Sequence, residues 1–258
     1  MRKEAPDWLE LLEEIADRAD AIAMQLFRSR DLRVDVKADA SPVTEADTAI
    51  EEAARSIVRR RCADVGVYGE EQGETAGSSD RRLIIDPIDG TRNFVRGIPI
   101  FATLLGVEVS GEVVAGVVSA PALGSRWRAA RHKGAFNGSR PLRVSQIGRL
   151  HDAHVFHAGI GGRGEPGCPD GLMALAEHVE RTRGFGDFYQ HVLVAEGAGE
   201  AAVDSVVSPW DVAALLVLVE EAGGRATTLA GRRSIYGGSL VTSNGIVHDE
   251  VLQLLAAG

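Results

Sequence analysis

The sequence predicts a layered α+β / α/β fold, and three observations carry that expectation. Two amphipathic helical stretches come early, over residues 5–28 and 44–61. A meander of Val- and Leu-rich runs follows them, with turn residues between the runs. From about Leu150 strand and helix patterns alternate, which argues for an α/β layer. The division is expected near residue 148. Residues 1–148 form an α+β part with two helices and an antiparallel sheet, and residues 149–258 form an α/β part.

In the first helix Trp8, Leu12, Ile15, Ala19, Ile22 and Leu26 recur at spacings of three and four, a stripe suited to packing on a sheet or another helix. Arg33–Lys37 alternates as R-V-D-V-K and reads as a strand. Ser41-Pro42 turns the chain into the second helix, which Thr44 can cap with Asp47 at the third helical position. Val65–Tyr68 is a short strand ending at Gly69-Glu70-Glu71, and the polar stretch G-E-T-A-G-S-S-D after it is expected to be a mobile loop. Leu83-Ile84-Ile85 is a buried strand. Phe101–Val109 and Glu112–Ser119 form a hairpin about Ser110-Gly111, and Arg126–Arg131 adds another strand.

In the second part a strand (Ala153–Ala158), a Gly/Pro loop (Gly159–Pro169) and a helix (Gly171–Arg181) come first. A strand near Arg183, a helix (Phe188–Gly197), a strand (Ala201–Val203) and a helix (Val212–Ala222) follow. A strand pair and a short helix close the chain.

The 258 residues give ample length for a core, and 45% hydrophobic with 25% charged residues is ordinary for a globular chain. A net charge of −9 argues against a nucleic-acid partner, which normally meets a basic surface. Cys62 and Cys168 are far apart and make no metal or redox spacing, so two reduced thiols in a cytoplasmic protein are expected. Residues 1–30 show no secretory pattern, and no run approaches the ~20 apolar residues of a membrane span.

The chemistry concentrates in Leu83–Pro99. A buried strand delivers Asp86, then Pro87, Ile88, Asp89, Gly90 and Thr91. Hard oxygen ligands at a strand end suit Mg²⁺, and Gly90 lets backbone approach a ligand. The residues from Thr91 to Val95 begin a helix, whose first N–H groups suit a phosphate. Glu70-Glu71 reads either as a solvated turn or as further ligands. Asp211, in Ser208-Pro209-Trp210-Asp211 before an apolar helix, reads either as a helix-start acid or as another ligand. Four carboxylates, from Glu70, Asp86, Asp89 and Asp211, suit a cluster of hard cations. No Ser-His-Asp order is apparent. His151-x-x-His154-x-x-His157 raises zinc, but His154 and His157 stand an odd number apart on a strand and face opposite sides.

Together, Glu70-Glu71, D-P-I-D-G-T-x-N-F and W-D before a helix ending E-A-G-G resemble the inositol-monophosphatase-like family of Mg²⁺-dependent phosphatases. The resemblance spans nearly the whole chain. It implies an αβαβα sandwich of the inositol monophosphatase / sugar phosphatase type and a homodimer. It implies a first Mg²⁺ on Glu70, Asp86 and the Ile88 carbonyl, and a second on Asp86, Asp89 and Asp211. A third, weaker ion would use Glu70 and water. Asp47 would bond Thr91, and the two would orient the attacking water with Glu70. Substrate contacts would come from Glu70, Ile88, Asp89, Gly90, Thr91 and Asp211.

Within the family, T-R-N-F-V-R-G-I-P, S-A-P-A-L-G and G-D-F-x-x-H-x-L-V-A-E-G resemble its histidinol-phosphate phosphatases. Inositol phosphatases usually show R-x-x-G-S-A where this chain has Arg183-Gly184-Phe185-Gly186-Asp187. Histidinol phosphate carries an amine and an imidazole, and Asp187 can pair with a cation where inositol offers only hydroxyls. Asp187 also reads as a plain turn residue. Arg183 is placed on the phosphate side or at a neighbouring subunit, and His191 either contacts substrate or packs. Hydrolysis of histidinol phosphate is therefore expected. The same-class alternatives are inositol 1-phosphate, sugar phosphates or adenosine 3′,5′-bisphosphate, and the other-class alternative is a non-catalytic metal-binding protein.

Overall fold

The computed structural model describes residues 7–37, 41–159 and 171–256. Asp7 caps the first helix, α1 (Trp8–Leu26), by accepting the Leu9 N–H, and the helix buries the stripe that holds Leu12, Ile15 and Ala19. A two-stranded ribbon, β1 (Val34–Val36) with β2 (Pro42–Thr44), leads into α2 (Glu45–Arg61). Next come β3 (Gly66–Gly69), β4 (Gly73–Thr75) and β5 (Arg81–Asp89), then the short helix α3 (Thr91–Val95). The meander is β6 (Ala102–Val109), β7 (Glu112–Ala120), β8 (Ser125–Ala130), β9 (Gly134–Asn137) and β10 (Arg140–Pro141). These strands form one sheet in the order β10-β9-β8-β7-β6-β5-β3-β4. Its pairs are antiparallel except β3 with β5, which run parallel. Ser110 and Gly111 turn the β6–β7 hairpin with φ values of 53° and 83°, the two left-handed residues that match strand twist.

The remaining elements are β11 (His154–His157), α4 (Gly171–Ala176), β12 (Arg181–Gly184), α5 (Asp187–Ala195) and β13 (Ala201–Asp204). After them come α6 (Pro209–Glu221), β14 (Arg225–Thr227), β15 (Leu240–Ser243) and α7 (His248–Ala256). The second sheet has the order β12-β11-β13-β15-β14, parallel over its first three strands and antiparallel over the rest.

Alternation along the strands sorts the core into layers. Leu83, Ile85, Leu105 and Val117 face α1 and α2, while Ile84, Leu104 and Val118 face α5 and α6. On the far side of α5, Val194 packs with Phe156 and Ala202 of the second sheet. Leu172 of α4 and Val251 of α7 cover that sheet's outer face. The layers are thus helix, sheet, helix, sheet, helix. Helix α6 is central, and Val212–Val219 are buried all round it, as a helix between two sheets requires. It lies directly on the first sheet. A Cβ at Gly106 would stand 2.6 Å from the Ala213 Cβ, and one at Gly116 2.9 Å from the Ala214 Cα. Those two glycines set the depth at which α6 delivers Asp211.

Two sequence expectations change. The stretch after Glu71, expected to be a loop, contributes β4, an edge strand that pairs Tyr68 with Glu74. Its polar composition hides it, because an exposed edge has no face to bury. The helix expected over Gly171–Arg181 stops at Ala176. The Glu180 and Arg181 N–H groups instead reach the Ala153 carbonyl, at 3.1 and 3.3 Å, and start β12 beside β11. The largely antiparallel sheet contains one parallel pair. The Gly/Pro loop and Cys168 fall on residues 160–170, outside the described residues.

Candidate active site

A regular strand would point Asp86 and Asp89 to opposite faces, since they stand three residues apart. The structure removes that conflict with a bulge. Asp86 pairs with Leu104 while Asp89 pairs with Ala102, so one extra residue is accommodated on β5 at Pro87-Ile88. Pro87 has no N–H to lose there, and its carbonyl accepts the Thr103 hydroxyl at 2.8 Å. Oxygens of Asp86, Asp89 and Asp211 then lie within 4.8 Å of one another.

Asp211 reaches this point as the third residue of α6. One of its oxygens accepts the Ser208 N–H at 2.7 Å, the reciprocal arm of a capping box. Trp210 beside it meets Tyr68 edge-on, with ring centroids 5.3 Å apart, which fixes the helix start against β3. Asp89 accepts the Phe188 N–H, so α5 begins on the carboxylate at the end of β5.

The three acids are crowded and dry. Burial first, then the charges of Glu70, Asp89 and Asp211, holds the Asp86 carboxyl well above its ordinary range. Burial and then the Asp187 and Asp211 charges do the same to Asp89. Asp211 is pushed up to about 7, by burial and then by Glu70, against the lowering pull of its bond to the Ser208 backbone. Asp86 Oδ1 is buried and has no hydrogen-bond partner. An orphaned carboxylate oxygen inside a group of three is poorly satisfied by protein alone. It fits a hard divalent cation that takes oxygen ligands. The donor set therefore suits a metal such as Mg²⁺.

Glu70 stands to one side of that group. Its Oε1 and the Glu71 Oε1 each accept the Lys37 ammonium at 2.7 Å. Burial pulls Lys37 down, but the bonds to both glutamates outweigh it and hold the amine above its ordinary range. Glu71 is pushed up to about 7, by burial first, with Lys37 opposing. Beneath the turn lies Glu51, fully buried, which accepts the Glu71 and Gln72 N–H groups at 2.8 and 3.1 Å. Arg55 pairs with Glu51 and also bonds the Gly73 carbonyl and the Thr75 hydroxyl.

Asp47 is the third residue of α2 and closes the predicted capping box, accepting the Thr44 N–H at 2.8 Å. Burial pushes its carboxyl up to about 6, against the bonds from Thr44. Its other oxygen is 3.5 Å from the Thr91 hydroxyl, which donates to the Ile88 carbonyl at 2.8 Å. The bond between Asp47 and Thr91 is therefore long, and Ile88 holds the shorter one. Gly90 has φ 81°, and a Cβ there would meet the Ile100 carbonyl at 3.0 Å and Asp187 Oδ2 at 3.2 Å.

A cavity of about 600 Å³ opens on this group. Glu70, Asp89, Gly90, Thr91, Asp187 and Asp211 line it, with Asp86 and Asp47 buried behind. Asp187 accepts from Asn93 Nδ2 at 3.2 Å and holds φ 51°, an uncommon conformation that turns the chain into α5. Arg183 is elsewhere. It is exposed, outside the cavity lining, and its guanidinium bonds the Thr182 carbonyl. His191 is buried, between Thr242 Oγ1 and Asp204 Oδ2 at 2.8 Å each, and reaches the cavity wall with Asp204.

The three histidines are not gathered into a metal site among the described residues. Asp86, Asp89 and Asp211 are the metal-capable group there. His151 contacts Asp152, and His154 lies 3.7 Å from Glu180. No helix of the described residues is long and apolar enough to cross a membrane. Lys37, Asn93, His157, Phe185 and Asp204 were not singled out by sequence as parts of the site. For Asp204 a signal existed. The run Ala201-Ala202-Val203-Asp204 repeats the pattern of Leu83-Ile84-Ile85-Asp86, a buried strand that delivers an acid.

The model of the inositol monophosphatase family matches residues 6–257. A histidinol-phosphatase of Mycobacterium tuberculosis is 46% identical over 98% of this chain and 99% of its own length. One of Chlorobaculum parvum is 39% identical over 98% of each. An inositol-1-monophosphatase of Caulobacter vibrioides is 30% identical over 96% of this chain and all of its own. Among solved structures, an IMPase of Thermotoga maritima superposes with a TM-score of 0.87 at 30% identity, covering 98% of each chain. The extragenic suppressor protein suhB of Bartonella henselae gives 0.89 at 28% identity, over 97% of this chain and 98% of that one. With these matches over nearly its whole length, the chain is a phosphoric monoester hydrolase and belongs to the inositol monophosphatase family.

Proposed function

We propose that this protein hydrolyses L-histidinol phosphate to L-histidinol and phosphate, with two or three Mg²⁺ ions in its site. The observation that carries the substrate choice is the acidic wall beyond the metal group. Asp187 and Asp204 both line the cavity, and a substrate with an amine and an imidazole offers cations to such a wall. The names of the similar bacterial histidinol-phosphatases support the same reading.

Asp86, Asp89 and Asp211, with Glu70, are the residues that would hold the metal. When bound, Mg²⁺ supplies positive charge that lowers the pKa of water and offsets the charge on the phosphate. The chain's own groups do the positioning, which carries most of the rate in phosphoryl transfer. Gly90 and Thr91, at the cavity wall beside Asp89, meet the phosphate. Thr91 Oγ1 accepts a hydrogen from the attacking water, and its own hydrogen turns from the Ile88 carbonyl toward Asp47 Oδ1. The water oxygen bonds to phosphorus, the proton it loses passes by way of Thr91 Oγ1 to Asp47, the bond from phosphorus to the alcohol oxygen breaks, and that oxygen leaves with a solvent proton. Asp187 holds the ammonium of the substrate, and Asn93 holds Asp187.

Steady-state kinetics with Mg²⁺ test this. Asp187→Ser is expected to lose kcat/KM on histidinol phosphate selectively, by roughly tenfold or more for one charge-assisted bond. Equal losses on histidinol phosphate and on inositol 1-phosphate would remove Asp187 from substrate recognition.

A further inference from the structure

One turn along from Asp187, helix α5 carries two polar residues that have no task in the chemistry described above. Gln190 and His191 are buried, at 0% and 1% exposure, on a helix otherwise packed through Phe188, Val192 and Val194. His191 stands one helical turn after Asp187, so the two share a face of α5. Gln190 and His191 reach the same atom. Gln190 Nε2 donates to Asp204 Oδ2 at 2.6 Å, and His191 Nε2 lies 2.8 Å from that oxygen. Behind the ring, Thr242 Oγ1 lies 2.8 Å from His191 Nδ1. A hydroxyl can donate to a bare ring nitrogen, so Thr242 lets Nε2 carry the hydrogen that Asp204 receives. Gln190 Oε1 is shielded from solvent with no partner among the described residues. That costs about 1–3 kcal/mol, which a leucine in the same place would avoid. Asp204 itself is not sealed off. It ends β13 at the cavity wall, and 11% of its side-chain surface stays open.

We propose that His191 and Gln190 are positioning residues for substrate selection, holding the Asp204 carboxylate so that it receives the ring N–H of the substrate alcohol. Their two donors fall on Oδ2 and fix the plane of the carboxylate. They also stabilise its negative charge against burial. A carboxylate held in this way only accepts, and it favours an N–H that carries charge, as a protonated imidazole does. Both residues act through Asp204. Helix α5 thereby sets the two acids of the wall. Asp187 serves the ammonium directly, and Asp204 serves the ring through His191 and Gln190. The inference rests on the reading of the enzyme as a histidinol-phosphate hydrolase, and it names the residues that would make the enzyme selective for the ring.

The test compares two esters with the whole enzyme in Mg²⁺: L-histidinol phosphate and 2-aminopropyl phosphate, in which a hydrogen replaces the imidazole. The quantity read is the ratio of their kcat/KM values. Asp204→Ala is expected to lower that ratio by about tenfold, the effect of one charge-assisted bond. His191→Met and Gln190→Leu fill the space without a donor, and each is expected to lower it by about threefold to tenfold. His191→Gln carries an amide donor near the position of Nε2 and is expected to recover most of the loss. In the Asp204→Ala background, His191→Met is expected to change the ratio by less than about twofold, because His191 acts through Asp204. Thermal unfolding verifies that each variant is folded, and Gln190→Leu carries the test if His191→Met is not. Ratios within about twofold of the unmodified enzyme for Asp204→Ala, or for both His191→Met and Gln190→Leu, would overturn the positioning role and leave the substrate assignment standing. An effect of His191→Met that persists in full without Asp204 would do the same. An unmodified enzyme that hydrolyses myo-inositol 1-phosphate faster than histidinol phosphate would overturn that assignment and the inference with it.

Discussion

Asp47 and Asp211 hold the same post in two different helices. Each is the third residue of its helix, and each accepts the N–H of its cap residue, Thr44 at 2.8 Å and Ser208 at 2.7 Å. In both, one oxygen closes the capping box and the other turns to the site. The helix start is thus the device that aims the acid. A capping role and a catalytic one are not rivals at these positions.

A substitution that keeps the capping oxygen separates the two roles. Asp211→Asn retains an acceptor for Ser208 and removes a charge from a group that burial and Glu70 already disfavour. Without metal its Tm is expected to equal or exceed that of the parent protein, while turnover with Mg²⁺ falls by about a hundredfold or more. Asp211→Ala is expected to lose turnover likewise and to forfeit about 1 kcal/mol of capping as well. Calorimetry beside kinetics checks both. A large drop in Tm for the Asn variant would mean that the negative charge itself holds α6.

Glu51 and Arg55 make the second device. They are buried on α2 and hold the turn that follows Glu70 through the Glu71 and Gln72 N–H groups. Glu51→Ala leaves the Arg55 charge buried without its partner, and a loss of about 3–5 kcal/mol in unfolding free energy is expected. Chemical denaturation measures it directly. A loss below about 1 kcal/mol, the range of an exposed pair, would show that Arg55 finds other partners.

On the proposed ligand set Lys37 would compete with metal for Glu70, since its ammonium bonds Glu70 and Glu71 at 2.7 Å. Lys37→Gln removes a positive charge from the rim of the acidic group. Apparent Mg²⁺ affinity is expected to rise roughly threefold to tenfold, the effect of about 1 kcal/mol at a half-buried position. A titration followed by the fluorescence of Trp210, beside Asp211, would read it. Weaker Mg²⁺ binding would contradict the competition.

His248 gives a pH dependence with a definite sign. It is buried at the start of α7, between the Thr227 and Ser243 hydroxyls at 2.8 Å each. Burial, and then the Arg225 charge, lowers its pKa from 6.5 to about 4. Between those values the unfolded chain binds the proton and the folded chain does not. Stability from this group is therefore complete above about pH 6.5 and declines as pH falls toward 4. The contribution is on the order of 3 kcal/mol. Unfolding curves for the protein and for His248→Gln across pH 4–7 are expected to converge at the acid end. Parallel curves would remove His248 as the source.

Much of this architecture is legible in the sequence because its signals are local. Thr44 with Asp47, the apolar run into Asp86, Ser110-Gly111 between two Val-rich runs and Pro209 before Asp211 each encode a cap, a strand or a turn within a few residues. What escaped depends on contacts distant in sequence. Spacing alone does not show the bulge at Pro87-Ile88, because register is decided by β6. Glu51 and Arg55 look like an ordinary solvated pair until β3 and β4 cover them. Lys37 meets Glu70 only through the folding back of the ribbon beside α2. Of the two places expected for Arg183, the phosphate side and a neighbouring subunit, its exposed position departs only from the first. Its strand ends beside the site, but its side chain is outside the cavity lining and bonds the Thr182 carbonyl.

The measurement that tests the account most directly is a substrate panel. Purified enzyme with Mg²⁺ is given L-histidinol phosphate, myo-inositol 1-phosphate, fructose 1,6-bisphosphate and adenosine 3′,5′-bisphosphate, and kcat/KM is determined for each. The acidic wall of Asp187 and Asp204 predicts that histidinol phosphate leads by about tenfold or more, the worth of one charge-assisted contact. Faster turnover of myo-inositol 1-phosphate than of histidinol phosphate would contradict it.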